Sequence, residues 1–339
     1  MSRARAPKHL LTLFSEKTLL EATLLRLKGV VQDANIWILT NASQVPLIQK
    51  AIPGFPASQI IAEPAKRDTA PAAALATGLV RAMDPHAVVA LLPADALIKD
   101  SKTFGEQLRQ AFLWAAGEGK GGSASALFTF AITPSHPATG FGYLELGDTV
   151  AASKAGGKLI KVKRFVEKPD LPTAKRYLKG RKHAWNAGMF IWSVEAFLAE
   201  VERHEPALAS FVRDFPKGDP TAYLAARFAA LPKISVDYAV MEKASKVLTV
   251  IAAFDWDDVG SWSALPTHLK PDGDGNVSKG NVVVVGSSGT IAVSTGRVIA
   301  LCGLKDIVVV ETEDAVLVCH RDSVQDIKKL LAHVPVHTL

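Results

Sequence analysis

The stretch that decides the fold class is AVVALLPAD, residues 87–95. The unbroken apolar run Ala87–Leu92 stops at Pro93, and the carboxylate of Asp95 follows directly after. A run of this kind predicts a central parallel strand that is buried on both faces. Ligands of open α/β sheets bind just beyond the carboxyl ends of such strands, so Asp95 is a candidate to hold a divalent cation. An Asp at this position can also be an ordinary helix cap or turn residue.

Short apolar runs alternate with longer helical patterns on both sides of this strand, over the first 265 residues. The alternation predicts strands at 36–40, 59–63, 87–92 and 126–132, with helices near 71–83 and 101–116 between them. Residues 141–254 then add a Gly-turned strand pair, three helices and a late strand. We therefore expect an α/β fold with a doubly wound, mixed and mostly parallel sheet of the Rossmann type.

The pattern changes after about residue 270, at the turn cluster PDGDGN. Short β-branched runs begin near residues 282, 290, 298, 307 and 315, and glycines separate them. This even spacing predicts stacked β-coils in a small β-helix-like domain, with a terminal helix over Ser323–His333. A small irregular sandwich is the alternative. The predicted domains are 1–268 and 275–339.

Composition excludes several classes of protein. The chain has 339 residues, of which 48% are hydrophobic, so long disorder is not expected, and no apolar run is long enough to span a membrane. The net charge of +6 comes without aromatic residues interleaved among basic runs, which argues against a nucleic-acid partner. Two cysteines and the absence of a signal-like N-terminus make the cytoplasm the expected location. A homo-oligomer remains open.

A second acidic cluster lies in FDWDDVGSW, residues 254–262. It holds Asp255, Asp257 and Asp258 after a predicted strand. Mg²⁺ needs only one or two protein carboxylates when water and phosphate complete its octahedron, so Asp95 and Asp258 together would suit phosphoryl or nucleotidyl transfer. The alternative is a solvated acidic turn in which the tryptophans are packing residues.

Three further segments carry polar groups near predicted strand ends. In FVEKPD, Glu167 could serve a sugar hydroxyl and Lys168 a phosphate, although the pair could equally be an exposed ion pair. In WNAGMF, Asn186 could contact hydroxyls, but such a segment is often only a tight turn. The loop 63–71 precedes a helix whose N-terminus could meet an anion or a base edge, or it is an ordinary capped loop.

The order of these segments is more specific than any one of them. EPAKRDTAPA, LLPAD, FVEKPD, WNAGMF, SVDYAVMEKA and WDDVGSW together resemble the bacterial mannose-1-phosphate guanylyltransferases, from about residue 2 to residue 335. The resemblance implies an α/β nucleotidyltransferase domain followed by a short β-helical domain. It also implies that GTP and mannose 1-phosphate react to give GDP-mannose and pyrophosphate, with Mg²⁺ as cofactor.

The resemblance carries roles to matching positions of this chain. Asp95 and Asp258 would hold the metal, Lys8 would meet a phosphate, Gly142, Glu167 and Asn186 would hold the mannose, Lys168 would bind its phosphate, and Glu63, Pro64, Arg67, Thr69 and Ala70 would line the guanine pocket.

Three positions depart from the family pattern. Ala96 stands where His is usual, and Asp68 where Asn is usual. The chain opens with MSRARAPKHLL, which matches only the tail of the family's Gly-rich loop GGxGTRLWPxSR. We expect Met1 to be an internal methionine, because loss of a central strand with about four buried apolar residues would cost roughly 6–12 kcal/mol.

Two other functions stay open at this stage. One is a catalytically silent homologue that binds a nucleotide sugar, which Ala96 and the absent loop favour. The other is a sugar nucleotidyltransferase of different base or sugar specificity, because specificity depends on pocket contacts.

Overall fold

The computed structural model describes residues 7–152, 157–330 and 333–334. They form two compact units. Unit 1 contains the described residues up to Leu24, Ala94–Leu97 and the described residues from Asp257 onward, and unit 2 contains Leu25–Pro93 and Ile98–Trp256. In the part of the chain that the structure describes, no helix combines the length and the apolar character needed to cross a bilayer.

The helices and strands follow in chain order. The strands are β1 (Ile38–Asn41), β2 (Ile60–Glu63), β3 (Val88–Leu91), β4 (Leu127–Ile132), β5 (Tyr143–Ala152), β6 (Lys158–Val166), β7 (His183–Ser193), β8 (Val247–Ile251), β9 (Val277–Lys279), β10 (Val282–Val285), β11 (Ile291–Ser294), β12 (Ile299–Cys302), β13 (Ile307–Glu311) and β14 (Val316–His320). The helices are α1 (Leu19–Leu27), α2 (Val45–Ala51), α3 (Thr69–Met83), α4 (Ser101–Ala115), α5 (Leu171–Gly180), α6 (Val194–His204), α7 (Pro206–Arg213), α8 (Thr221–Arg227), α9 (Leu265–His268) and α10 (Ile327–Leu330).

Unit 2 is built on a six-stranded mixed sheet in the order β3-β7-β4-β8-β6-β5. The predicted α/β class with a mixed sheet is confirmed, but parallel pairs do not predominate in this sheet. Strands β6 and β7 run against their neighbours β8, β4 and β3, so β4–β8 is the one parallel pair among its described strands. A separate parallel pair joins β1 to β2.

Strand β3 differs from the central strand that its apolar run predicts. It pairs only with β7 among the described residues, and that pairing is antiparallel, so β3 lies at the edge of the sheet. Only Val89 of the strand is fully buried. An apolar run indicates that a strand is covered, but it does not indicate which strands lie beside it. Here helices α3 and α4 contact β3 and provide the cover.

Strand β7 contains the WNAGMF segment, which is therefore not a free turn. Its pairing with β4 shifts register between Thr129 and Ala131, and Gly188 sits in this irregularity with a φ of +68°. A bulge of this kind re-aims the side chains beside it, and glycine reaches a positive φ at low cost. The bulge thus places Asn186 inside the unit instead of on a loop.

The C-terminal part of unit 1 contains the predicted stacked coils. Strand β10 pairs in parallel with β12 from Val282↔Ile299, and β11 pairs with β13 from Ile291↔Val308. Both registers are offset by the same number of residues, as in successive turns of a coil and unlike a sandwich. Strand β14 closes the sheet in antiparallel orientation. The predicted helix over Ser323–His333 starts later than expected, because a 3-10 segment occupies Arg321–Asp326 and helix α10 begins at Ile327; part of the predicted range, 331–332, lies outside the described residues.

The coils are stabilised by a buried apolar core and by buried polar side chains that form hydrogen bonds with backbone groups of the turns. The Asn276 amide makes four side-chain hydrogen bonds, to Asp272, to the Ser287 carbonyl, and to the backbone N–H and hydroxyl of Thr290. The Glu311 carboxylate accepts from the amides of three consecutive residues, 295–297. Burial acts to raise the pKa of Glu311, but these backbone donors lower it overall.

We predict that Asn276→Ala lowers the free energy of unfolding by about 2–4 kcal/mol, because several net contributions of about 0.5–1.5 kcal/mol are lost and buried partners stay unsatisfied. Asn281→Ala is the matched control, since the exposed Asn281 donates one hydrogen bond, to the Gly296 carbonyl. It should cost less than about 1 kcal/mol. Urea denaturation of the full chain measures both, and equal costs for the two variants would contradict the prediction.

Candidate active site

Three residues from distant parts of the sequence meet in unit 1. The Lys8 ammonium lies 2.9 Å from a carboxylate oxygen of Asp95 and also donates to the backbone carbonyl of Asp258. The Lys8 side chain is only 14% exposed, whereas that of Asp95 is 43% exposed. A nearly buried ammonium thus sits between the two segments that carry the predicted metal ligands, which the structure brings together.

The backbone fixes these two segments to each other. Leu97 and Asp257 exchange two hydrogen bonds, of 2.8 Å from the Leu97 amide and 3.0 Å from the Asp257 amide. Asp95 and Asp258 lie two residues and one residue away from this bridge. Their separation is therefore set by main-chain geometry as well as by the Lys8 contact.

The three carboxylates of FDWDDVGSW have different surroundings. Asp255 accepts hydrogen bonds from the amides of Lys99 and Asp100, so it holds the start of helix α4. Asp257 accepts from Val259 and His268. The Asp258 carboxylate accepts only from the Gly260 amide among the described residues. Asp258 is therefore the member of the cluster with oxygens available to a ligand.

The electrostatics of Asp258 suit a cation. Burial raises the pKa of this carboxyl, Lys8 acts to lower it, and the nearby Asp257 and Asp95 raise it further. Such a carboxylate gains from additional positive charge. The described residues contain no group of three or more His, Cys, Asp or Glu side chains arranged around one cation. Two carboxylates fit Mg²⁺, which keeps several water or phosphate ligands, better than an ion that needs a full set of protein ligands.

A second polar cluster lies in unit 2, around Asn186. The Asn186 carbonyl oxygen accepts from the Thr129 hydroxyl at 2.7 Å, and its amide donates to Asp237 at 3.2 Å. The Asn186 backbone N–H donates to the Gly142 carbonyl at 2.8 Å. These contacts fix the orientation of a buried amide, as a site that selects hydroxyl groups requires.

Glu167 and Lys168 belong to the same cluster. The Lys168 ammonium lies 2.7 Å from the Glu167 carboxylate, and this contact is the main reason why the pKa of Lys168 is raised. Glu167 is mostly buried, whereas the Lys168 side chain is 60% exposed. The ion pair that the sequence left as an alternative is therefore present, and only its carboxylate is protected from solvent. A Cβ on Gly142 would collide with the Glu167 carboxylate, so a larger residue there would force that carboxylate to shift. Lys168 has a φ of +46°, so its backbone is strained at this turn.

Asp237 is a member of this cluster that the sequence analysis missed. Burial raises its pKa to about 7, and the nearby Glu167 adds to that shift. It begins a π-helical turn over Asp237–Met241, an element often found at functional sites. The segment SVDYAVMEKA contributed to the family resemblance, but its spacing gave no reason to assign chemistry to this carboxylate.

The loop 63–71, also in unit 2, is tightly tied down. Asp68 has a φ of +71° and caps helix α3 through the Thr69 amide. The Thr69 hydroxyl accepts from the Val236 amide, the Ala70 amide donates to the Ile234 carbonyl, and Arg67 donates to the Ala229 carbonyl. The exposed residues of the loop are Pro64, Lys66, Asp68 and Thr69, whereas Ala70 is completely buried.

Glu63, at the end of β2, is a partly buried carboxylate of this loop. Burial raises its pKa to about 7. The structure thus shows the capped loop of the alternative interpretation. Base binding by the predicted residues of the loop stays a prediction.

These two polar clusters, in a chain that combines an α/β unit on a mixed sheet with a stack of β-coils, define a class of protein. Residues 1–272 match the family model for nucleotidyl transferases, and residues 280–334 match the model for the MannoseP isomerase/GMP-like beta-helix domain. The chain belongs to the nucleotidyl transferase family.

Named relatives cover nearly the whole chain. The xanthan biosynthesis protein XanB of Xanthomonas campestris pv. campestris (strain B100) is 37% identical, over 98% of this chain and 70% of its own length. The mannose-1-phosphate guanylyltransferase of Escherichia coli (strain K12) is 34% identical, over 98% of this chain and 70% of its own. A crystal structure described as mannose-1-phosphate geranyltransferase from Thermus thermophilus superposes with a TM-score of 0.85 at 30% identity, over 98% of this chain and 93% of that one.

The raised pKa of Asp237 predicts a pH-dependent stability. Between pH 4 and about 7 the folded protein keeps a proton that the unfolded chain has lost, so this carboxyl makes the protein less stable as the pH rises through that window. Asp237→Asn cannot ionise. Its melting temperature should therefore rise relative to wild type between pH 4 and 7 and then level off. The same substitution at the exposed Asp148 is the control, and a pH-independent difference for Asp237→Asn would contradict the prediction.

Proposed function

We propose that this protein transfers GMP from GTP to α-D-mannose 1-phosphate, giving GDP-mannose and pyrophosphate. The observation that carries the proposal is the cluster of Lys8, Asp95 and Asp258, two carboxylates and an ammonium held within one unit. The relatives with mannose-1-phosphate guanylyltransferase in their names support the choice of substrates. The cytoplasm, where GTP is available, is the proposed location.

The reaction exchanges one phosphorus–oxygen bond for another. A phosphate oxygen of mannose 1-phosphate attacks the α-phosphorus of GTP in line, and the bond from that phosphorus to the bridging oxygen of pyrophosphate breaks. No protein nucleophile and no oxidant is required. Such a transfer depends on positioning and on neutralising the charge of the phosphates.

Lys8, Asp95 and Asp258 supply the charge chemistry. Asp95 and Asp258 would hold Mg²⁺, which when bound withdraws charge from the phosphate oxygens. The Lys8 ammonium can move from its contact with Asp95 to a phosphate oxygen as the ligand enters, because both partners are anionic acceptors. Because the Lys8 side chain is mostly buried, its ammonium has few other directions in which to point.

The cluster around Asn186 supplies sugar recognition. Glu167 accepts hydrogen bonds from the mannose hydroxyls, and the Asn186 amide donates to them or accepts from them. Gly142 leaves the space for this contact. Lys168 pairs with the sugar phosphate. We add Asp237 to this set, since its contact with Asn186 fixes the direction in which the amide donates. Orientation by a fixed neighbour is what distinguishes one hydroxyl stereochemistry from another.

The loop 63–71 supplies base recognition in this proposal. Glu63 can accept hydrogen bonds from the ring N–H and amino group of guanine, which adenine lacks in that arrangement. Pro64 and Thr69 face solvent and can line the base, while Arg67 and Ala70 hold the loop through the contacts described above.

Asp95→Asn and Asp258→Asn should each lower kcat about 100-fold or more, because each removes a charge that is needed most in the transition state. The measurement is pyrophosphate release from GTP and mannose 1-phosphate with Mg²⁺. Asp322→Asn, on a side chain that is 92% exposed, is the control and should retain full activity. If wild type releases no pyrophosphate with any nucleotide or sugar phosphate yet binds GDP-mannose, the protein is a silent binding homologue and the proposal is wrong.

Gly142→Ala should raise the KM for mannose 1-phosphate about 10-fold, which corresponds to about 1.4 kcal/mol, while the KM for GTP stays unchanged. The added methyl group displaces the Glu167 carboxylate. Gly140→Ala is the matched control, because a Cβ there meets no atom within 4 Å. A rise in both KM values, or in neither, would remove Gly142 and Glu167 from sugar recognition.

A further inference from the structure

Both backbone groups and both carboxylate oxygens of Asp257 make polar contacts. Its backbone N–H and C=O pair with Leu97 at 3.0 and 2.8 Å. One carboxylate oxygen accepts from the Val259 amide at 2.7 Å, and the other lies 2.7 Å from Nε2 of His268. Asp257 therefore ties the residue before Asp258 to Leu97, Val259 and His268 through four contacts.

Val259 is the fixed residue on the other side of Asp258. It has a φ of +48°, a conformation that is strongly disfavoured for a β-branched residue. It is also completely buried and belongs to an apolar cluster with Leu19 and Leu97. Strain of this kind persists only where the surroundings impose it, and the Asp257 carboxylate provides the hydrogen bond that closes the turn.

Asp258 therefore lies between two fixed residues. The direction of its carboxylate follows from the peptide planes on either side, which the Asp257 side chain ties together. Without the His268 contact to one oxygen, the whole Asp257 carboxylate could rotate. Its other oxygen could then leave the Val259 amide, and the strained turn could relax.

His268 is built into this arrangement. It ends helix α9, its side chain is only 10% exposed, and the ring of Phe14 packs edge-on against it at a centroid distance of 5.3 Å. Few rotamers are open to an imidazole confined in this way, so the position of its Nε2 is well defined.

We propose that His268 is a positioning residue for the metal-binding carboxylate of Asp258, acting through Asp257 and the Val259 turn. This inference rests on the proposed function, which places the divalent cation at Asp95 and Asp258. His268 itself contacts neither substrate nor metal. Its contribution is to select the Asp258 orientation that the cation requires before the cation arrives.

The test is the affinity of the full chain for Mn²⁺ alone, followed by electron paramagnetic resonance of the free ion. His268→Leu keeps the volume and the contact with Phe14 but removes the hydrogen bond, and it should raise the Kd about 10-fold, as loss of an outer partner of a ligand typically does. His268→Gln, whose side-chain amide can still donate to Asp257, should recover most of the affinity. An unchanged Kd for His268→Leu would overturn the proposal.

A double-mutant cycle tests the route through Asp257. Asp257→Asn should raise the Kd by a similar factor, and Asp257→Asn with His268→Leu should be no worse than either single variant, because both break one contact. Additive effects would overturn the proposal. If His268→Leu does not fold, as judged by its melting curve, Asp257→Asn and His268→Gln decide, and wild-type affinity in Asp257→Asn would refute the mechanism.

Two controls separate this inference from the proposed function. His86→Leu removes an exposed His–carboxylate pair of unit 2, in which Nδ1 lies 2.9 Å from Glu195, and should leave the Kd unchanged. Asp258→Asn should abolish Mn²⁺ binding. If Asp258→Asn has no effect, the metal site of the proposed function is wrong; if it abolishes binding while His268→Leu matches wild type, only the role of His268 is wrong.

Discussion

The cluster of Lys8, Asp95 and Asp258 depends on one constraint, the pair of backbone hydrogen bonds between Leu97 and Asp257. This pair joins two stretches that are 160 residues apart in sequence and leaves one aspartate beside each end of the bridge. Side chains then refine what the main chain has set. Lys8 spans both segments, and His268 and Val259 fix the peptide planes around Asp258. A charged cluster assembled in this way keeps its geometry without a bound ion, because hydrogen bonds rather than attraction to a ligand hold it.

Local periodicity in the sequence predicted the elements well. Helix α3 was expected over 71–83 and spans Thr69–Met83, and the strands of the coils begin within about two residues of the expected positions. These elements follow from patterns that repeat within a few residues: an Ala-rich buried helix with an Asp cap, and β-branched runs separated by glycines. The carboxylate pair was also predictable, since each aspartate follows an apolar run and strand ends are where such folds bind ligands.

What the sequence did not predict depends on contacts between distant residues. The antiparallel insertion of β6 and β7 places β3 at an edge, although its own residues look central. The bulge opposite Thr129 takes Asn186 out of a supposed turn and into a strand. Asp237 acquires its raised pKa from burial and from Glu167, which lies 70 residues earlier in the chain. No window of sequence contains both partners of such an interaction, so periodicity could not reveal them.

The coil stack contains residues that the sequence boundary near 270 leaves out. Its apolar core includes Leu13, Trp262 and Leu265 together with strand residues such as Val277 and Ile291. A fragment cut at that boundary would expose the apolar surface that these three side chains cover, and it would aggregate instead of folding. A transfer of the coils to another enzyme must therefore include the segments around Leu13 and Trp262–Leu265 as well as the strands. The unit that can be transferred is larger than the repeat itself.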